Sequence, residues 1–170
     1  MRLRARCDSA AALRPSARAA GPNSVAGVDP LPDPDGPAAD SAVEAEVRAA
    51  NRAFYDAFEA RDLDAMSDCW EHSDRVVCTH PGWRTLRGWG AVSGSWFALF
   101  GGPSPLQFIL TQEVVAVNGT TAWVTVDENL ISTEMGGGTI AALNLFHRHP
   151  GPDGDRWLLV AHHGSPVAPQ

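Results

Sequence analysis

His80 is the residue whose neighbours best equip it to move a proton. It ends an apolar extended run in "VVCTHPGW", residues 76 to 83, and the proline after it disfavours helical geometry at the histidine. The imidazole therefore stands at the end of a stiff strand. An ordinary histidine pKa of ~6.5 leaves a neutral fraction at neutral pH, which a general base requires. A histidine that hydrogen-bonds loop backbone and fixes the turn accounts for the same pattern, so both readings stand open.

Asn144 is the second candidate. It is the sole polar side chain in "IAALNLF", and period-two alternation puts Ile140, Ala142, Asn144 and Phe146 on one face. A buried amide needs partners, and an inward one could donate to a ligand oxygen. Neighbouring protein groups could satisfy it equally well. In "RWLLVAHH", strict alternation places Trp157, Leu159, Ala161 and His163 on one face, and Leu158, Val160 and His162 on the other.

Other chemistry finds less support. His147 and His149 share a face but run into Pro150 and a polar turn, so they read as a solvent-edge pair, and no cluster has structural or hydrolytic metal spacing. No metal is expected. No G-x-S-x-G elbow accompanies the serines. "EMGGGT" lies between strands and reads as a hairpin rather than a phosphate loop. Asp127 and Glu128 are adjacent in a strand and face opposite sides, and which one faces inward is open. Trp70, Trp83 and Trp96, with Phe54 and Tyr55 of the first helix, are candidate walls for an apolar or aromatic ligand. They also suit a filled core.

The elements that must position these residues follow from periodicity. Residues 1–39 hold six of the 13 prolines and an Arg-rich, acid-poor start. They read as a disordered tail, a start placed too far upstream or an organellar targeting segment, followed by a solvated linker. Residues 40–170 form the domain. Ser41 and Glu44 make a capping box before a helix with Val43, Val47, Ala50, Phe54, Ala57 and Phe58 on its apolar stripe. Asp62 starts a short helix with Leu63, Met66 and Trp70 inward, "RVVCTH" is a strand, and "AVSGSWFALF" is a third helix. Two long strands flank Asn118-Gly119, a strong hairpin signal, and two more follow. Helices first and a strand meander after them imply α+β architecture.

Composition narrows the partners. The formal net charge is −7, which argues against a nucleic-acid partner. No apolar run approaches the ~18 residues of a membrane helix. Cys7, Cys69 and Cys78 are odd in number and lack ligand spacing, so a reducing, cytoplasmic location is expected.

The order of "ARDLDAM", a short helix, a strand ending in His-Pro-Gly, "LRGWGAV" and four strands closing on "HHGSP" resembles the SnoaL-like, nuclear-transport-factor-2-like superfamily. The resemblance covers about residues 41 to 167. It implies a curved antiparallel sheet wrapped round the N-terminal helices, forming a cone with an internal pocket, and a homodimer packed sheet against sheet. The superfamily includes polyketide cyclases, ketosteroid isomerases and dehydratases, and also non-catalytic association domains. In the isomerases the strand after the second helix ends in a proton-shuttling acid before a proline. His80 occupies that slot, keeping a base but losing a charge. Asn144 lies near the position where the isomerases place a protonated aspartate as oxyanion donor. Relatives often end in a histidine, a small residue and serine. That match implies His163 as the pocket residue, with His162 toward the dimer face or solvent. The expected function is binding of a small organic molecule, with cofactor-free proton transfer as in a cyclase, isomerase or dehydratase. The alternative is a non-catalytic sensing or dimerisation module.

Overall fold

The computed structural model describes residues 38–102, 107–131, 137–152 and 154–168. Residues 1–37, and residues 132–136 within the expected hairpin, Gly136 of its glycine run among them, lie outside the described residues. Three helices precede most of a six-stranded sheet, so the α+β expectation holds.

Helix α1 (Ala38–Ala60) buries Val47, Asn51, Phe54, Tyr55 and Ala57, the stripe its three- and four-residue spacing dictates. It begins before Ser41, so the expected capping box is not its first turn. Its C-terminus closes as a Schellman motif. The Asp62 N–H donates to Ala57 O at 3.0 Å and the Arg61 N–H to Phe58 O at 3.1 Å, with Arg61 left-handed at φ 55°. Asp62 then caps α2 (Leu63–Cys69), its carboxylate accepting from the Asp64 and Ala65 N–H groups at 3.0 Å each. Met66 and Trp70 face the core as expected, whereas Leu63 remains 39% exposed.

Strand β1 (Val77–Thr79) carries Cys78 inward, and β2 (Leu86–Arg87) is a two-residue edge where sequence implied only loop. Helix α3 (Trp89–Phe100) buries Val92, Ser95 and Trp96. The long strands are β3 (Gln107–Asn118), β4 (Thr121–Ile131), β5 (Gly138–His149) and β6 (Arg156–Pro166). Gly119, at φ 60°, helps turn β3 into β4.

The sheet order is β2-β1-β6-β5-β4-β3. The meander is antiparallel, as expected, but β1 pairs parallel with β6, Cys78 lying opposite His162. The sheet is therefore mixed. Two bulges reshape it. In β3, Gln112 and Glu113 fall between the paired residues Thr111 and Val114, and Gln112 is left-handed at φ 55°. In β6, Leu145 pairs with Ala161 while Phe146 pairs with Leu159, so Val160 is the extra residue. Each bulge reverses which side chains face the helices, so strict alternation fails beyond it.

Candidate site inside the cone

Each interior element contributes polar side chains to a face that is otherwise apolar. From β4, Glu128 points inward and is 5% exposed, while Asp127 is half-buried on the other side. From β5 comes Asn144, fully buried among Ile140, Ala142 and Phe146, on the face alternation assigned it. From α1 come Asn51 and Tyr55, one helical turn apart.

The last strand corrects the expectation. His162 is buried and His163 is exposed, the reverse of the expected facing. Trp157 and Leu159 do face inward, but Val160 shifts the phase, so His162 and Gly164 continue that inner face. A uniform period of two cannot anticipate this change.

The groups form one directed network. His162 Nδ1 lies 2.6 Å from Asn144 Oδ1. An amide oxygen only accepts, so Nδ1 carries the proton. The Asn144 amide donates to Asn51 Oδ1 at 2.8 Å and to the Tyr55 hydroxyl at 3.2 Å. Tyr55 in turn donates to Glu128 Oε1 at 2.7 Å. Asn51 Nδ2 donates to Glu113 Oε1 at 3.1 Å, a carboxylate the β3 bulge brings to α1 and Arg48 pairs at 3.4 Å. Every donor thus leads toward a carboxylate, which is how buried amides and hydroxyls escape their desolvation cost.

Burial dominates the ionisation behaviour. It pushes the Glu128 carboxyl up to about 7, against the opposing hydrogen bond from Tyr55. It also raises the Tyr55 phenol, with the Glu128 charge adding to the effect. His162 is lowered to about 3 by burial, with smaller contributions from His80 and His163. Burial holds His80 at about 4. Both interior imidazoles are therefore neutral at pH 7.

His80 sits beside this network, its ring centroid 6.4 Å from that of His162. It is 4% exposed and meets Trp96 and Trp83 edge to face at 4.7 and 5.2 Å. Its Nε2 lies 2.9 Å from Ser95 Oγ. The Ser95 hydroxyl spends its one proton on Val92 O at 2.6 Å, so it must accept from Nε2–H. Nδ1 then holds the lone pair, with the Cys78 sulfur 3.9 Å away. Burial raises that thiol to about 12, so it is not a competing anion.

The aromatic candidates divide. Phe54, Tyr55, Trp70 and Trp96 are at most 2% exposed and pack against one another as core, while Trp83 is 46% exposed. The indole nitrogens of Trp70 and Trp96 are buried without a hydrogen-bond partner among the described residues. A cleft of about 400 Å³ lies instead between α2 and α3, lined by Leu63, Met66, Trp89, Trp96 and Phe97 among others. Of the expected site residues, only Trp96 reaches it. His80, Asn144, Phe54, Tyr55, Trp70 and Trp96 thus gather in the interior, Trp83 covers its edge, and His163 lies outside.

Sequence reasoning passed over Asn51 and Ser95, turned His162 outward and left Glu128 undecided. Asn51 was legible, lying four residues from both Val47 and Tyr55 on the apolar stripe. Ser95 likewise falls three residues after Val92 and beside Trp96. Nothing local marks Glu113 or His162, because both depend on bulges.

Comparison with known proteins agrees with this architecture. The chain is 30% identical over 115 residues to the F-box protein SKIP8 of Arabidopsis thaliana, covering 68% of this chain and 47% of that protein. The chain thus spans about half the length of that curated relative. Among solved structures, a Streptomyces avermitilis protein of the NTF2-like family, provisionally named a dehydratase, is 36% identical. That match covers 76% of this chain and 99% of that one, with a TM-score of 0.68. A Thiobacillus denitrificans protein, provisionally named a calcium/calmodulin-dependent protein kinase type II association domain, is 37% identical. It covers 71% of this chain and 94% of that one, with a TM-score of 0.60. Residues 47–169 match the SnoaL-like domain family. With that match spanning most of the cone, the chain belongs to the SnoaL-like family of the NTF2-like superfamily.

Proposed function

We propose that this SnoaL-like domain binds a small apolar or aromatic organic molecule beside His80 and moves a proton on it next to a carbonyl, without a cofactor. The reaction class is that of a dehydratase, isomerase or cyclase. One observation carries this reading: Ser95 fixes the His80 tautomer, leaving Nδ1 as a neutral acceptor inside the cone. Negative charge developing on a bound substrate would raise the proton affinity of that imidazole. Trp83, exposed and edge to face against His80, is the side chain a ligand would have to displace to reach it. Both Asn144 amide protons are already committed to Asn51 and Tyr55, so the indole N–H groups of Trp70 and Trp96, unpartnered among the described residues, are the donors left for a substrate oxygen. The provisional name of the Streptomyces relative is consistent with this class.

The test is hydrogen–deuterium exchange at the carbon next to the carbonyl, followed by NMR in D₂O across a panel of aromatic and β-hydroxy carbonyl compounds. Exchange catalysed by the wild type and lost in His80→Gln is expected. Exchange that persists in His80→Gln removes the histidine from this role. Binding without exchange leaves a ligand-sensing module.

A second reading is assembly. Ile109, Val114 and Leu143 are exposed on the sheet face away from the helices, which favours a homodimer packed through that face. The association-domain name of the Thiobacillus relative points the same way. The free thiols of Cys69 and Cys78 suit a reducing compartment such as the cytoplasm. Among the described residues, no helix is long and apolar enough to cross a membrane.

A further inference from the structure

The strand histidines that spacing leaves at a solvent edge meet a third group in the fold. His147 and His149 alternate along β5 on the face opposite Asn144, with ring centroids 5.1 Å apart. Glu71, remote in sequence, is pinned to the neighbouring strand. Trp70 bridges to Leu159 of β6, and the Glu71 N–H donates to Leu159 O at 2.9 Å. One potential ligand atom from each of Glu71, His147 and His149 lies within 4.8 Å of the other two.

The Glu71 carboxylate is oriented by its neighbours. Arg75 donates to both oxygens of the Glu71 carboxylate, and the Ser73 hydroxyl to one. His149 Nε2 lies 2.7 Å from Glu71 Oε2, a hydrogen bond that a metal would replace by opening the pair to the ~3.4 Å between tetrahedral ligands at ~2.0–2.2 Å. A simple ion pair would account for Glu71 and His149 but not for His147. That ring's Nδ1 is buried without a hydrogen-bond partner among the described residues, and its Nε2 is only 3.5 Å from Thr120 Oγ1.

We propose that Glu71, His147 and His149 form a binding site for a divalent transition-metal ion of the zinc class. Two imidazoles and one carboxylate favour zinc, cobalt or nickel over magnesium or calcium. Three protein ligands leave a position for water or an exogenous ligand. Arg75 orients the carboxylate as an outer-shell partner, while its positive charge opposes the incoming dication. The site lies on the opposite face of the sheet from the His80 interior and stands whether or not that interior is catalytic.

The test is calorimetric and NMR titration of the full-length, untagged chain with Zn²⁺. One Zn²⁺ per chain with a Kd below about 0.1 mM is expected. The imidazole signals of His147 and His149 should shift while those of His72 and His163 stay still. His147→Ala and His149→Ala should each weaken binding at least tenfold, and His163→Ala should leave it unchanged. Weaker binding than this, binding indifferent to both alanine variants, or shifts centred on His72 or His163 would overturn the proposal. If the variants fail to fold, the wild-type imidazole shifts decide by themselves.

Discussion

His162 donates through Nδ1 to Asn144 Oδ1 across 2.6 Å, and this bond ties the last strand of the sheet to the polar network inside the cone. It exists because the extra residue Val160 turns His162, rather than His163, toward the helices. The two adjacent histidines consequently have unequal weight. His162→Ala removes a buried donor, leaves Asn144 Oδ1 without a partner and opens a cavity, so it should cost about 2–4 kcal/mol. His163→Ala should stay within about 0.5 kcal/mol of wild type. Urea unfolding of the two variants measures the difference, and equal effects would contradict the assigned facing.

Glu128 gives stability an unusual pH dependence. Its folded pKa, about 7 against an ordinary 4.5, means that the folded protein keeps a proton the unfolded chain has released between those values. Its contribution is thus fully present below pH 4.5 and is lost as pH rises toward 7. Glu128→Gln keeps an acceptor for Tyr55 and removes the titration. The variant should gain on wild type by up to about 3 kcal/mol across that interval. A stability difference that does not change with pH would show that Glu128 is not held protonated by burial.

The interior histidines act in the opposite sense. Unfolding lets His80 and His162 take up protons below their ordinary 6.5, whereas the folded state holds them at about 4 and about 3. Their joint contribution falls as pH drops from 6.5 through that range. Thermal melts of His162→Gln between pH 4 and 6.5 should show a shallower acid loss than wild type. Parallel curves would rule out a buried, neutral His162.

Ser95 sets the His80 tautomer. Nitrogen-15 spectra of the wild type should show the proton on Nε2, and Ser95→Ala should give a mixture of tautomers with a stability loss of about 1 kcal/mol. An Nδ1-protonated ring in the wild type would remove the acceptor that the proposed function requires.

The exposed face of the sheet should carry the dimer contact. Leu143→Asp places a charge in the middle of that apolar strip. Sedimentation should give a two-chain mass for wild type and a one-chain mass for the variant, with an unchanged circular dichroism spectrum. A wild type that sediments as one chain excludes this interface.

Much of this architecture was legible from local pattern. The helical stripe through Val47 and Phe54, the capping role of Asp62, the inward face of β5 and the hairpin at Gly119 each arise from interactions within a few residues, so short windows record them. The order of the His-Pro-Gly strand end and the closing strands also carried the family. His80 and Asn144 stood out because each is a polar group at the edge or centre of an apolar run.

Sequence alone determined the three helices, the long strands and the apolar face of each up to its bulge, because those choices follow from backbone propensity and the period of hydrophobic residues. Only the tertiary structure decided that Val160 and Gln112 break that period, that His162 rather than His163 turns inward, that Glu128 rather than Asp127 is buried, and that Glu71 joins His147 and His149. The physical reason is common to all four. A bulge, a cross-strand register or a meeting of distant residues is set by the free energy of packing the whole sheet against its helices, and no short stretch of chain contains that term.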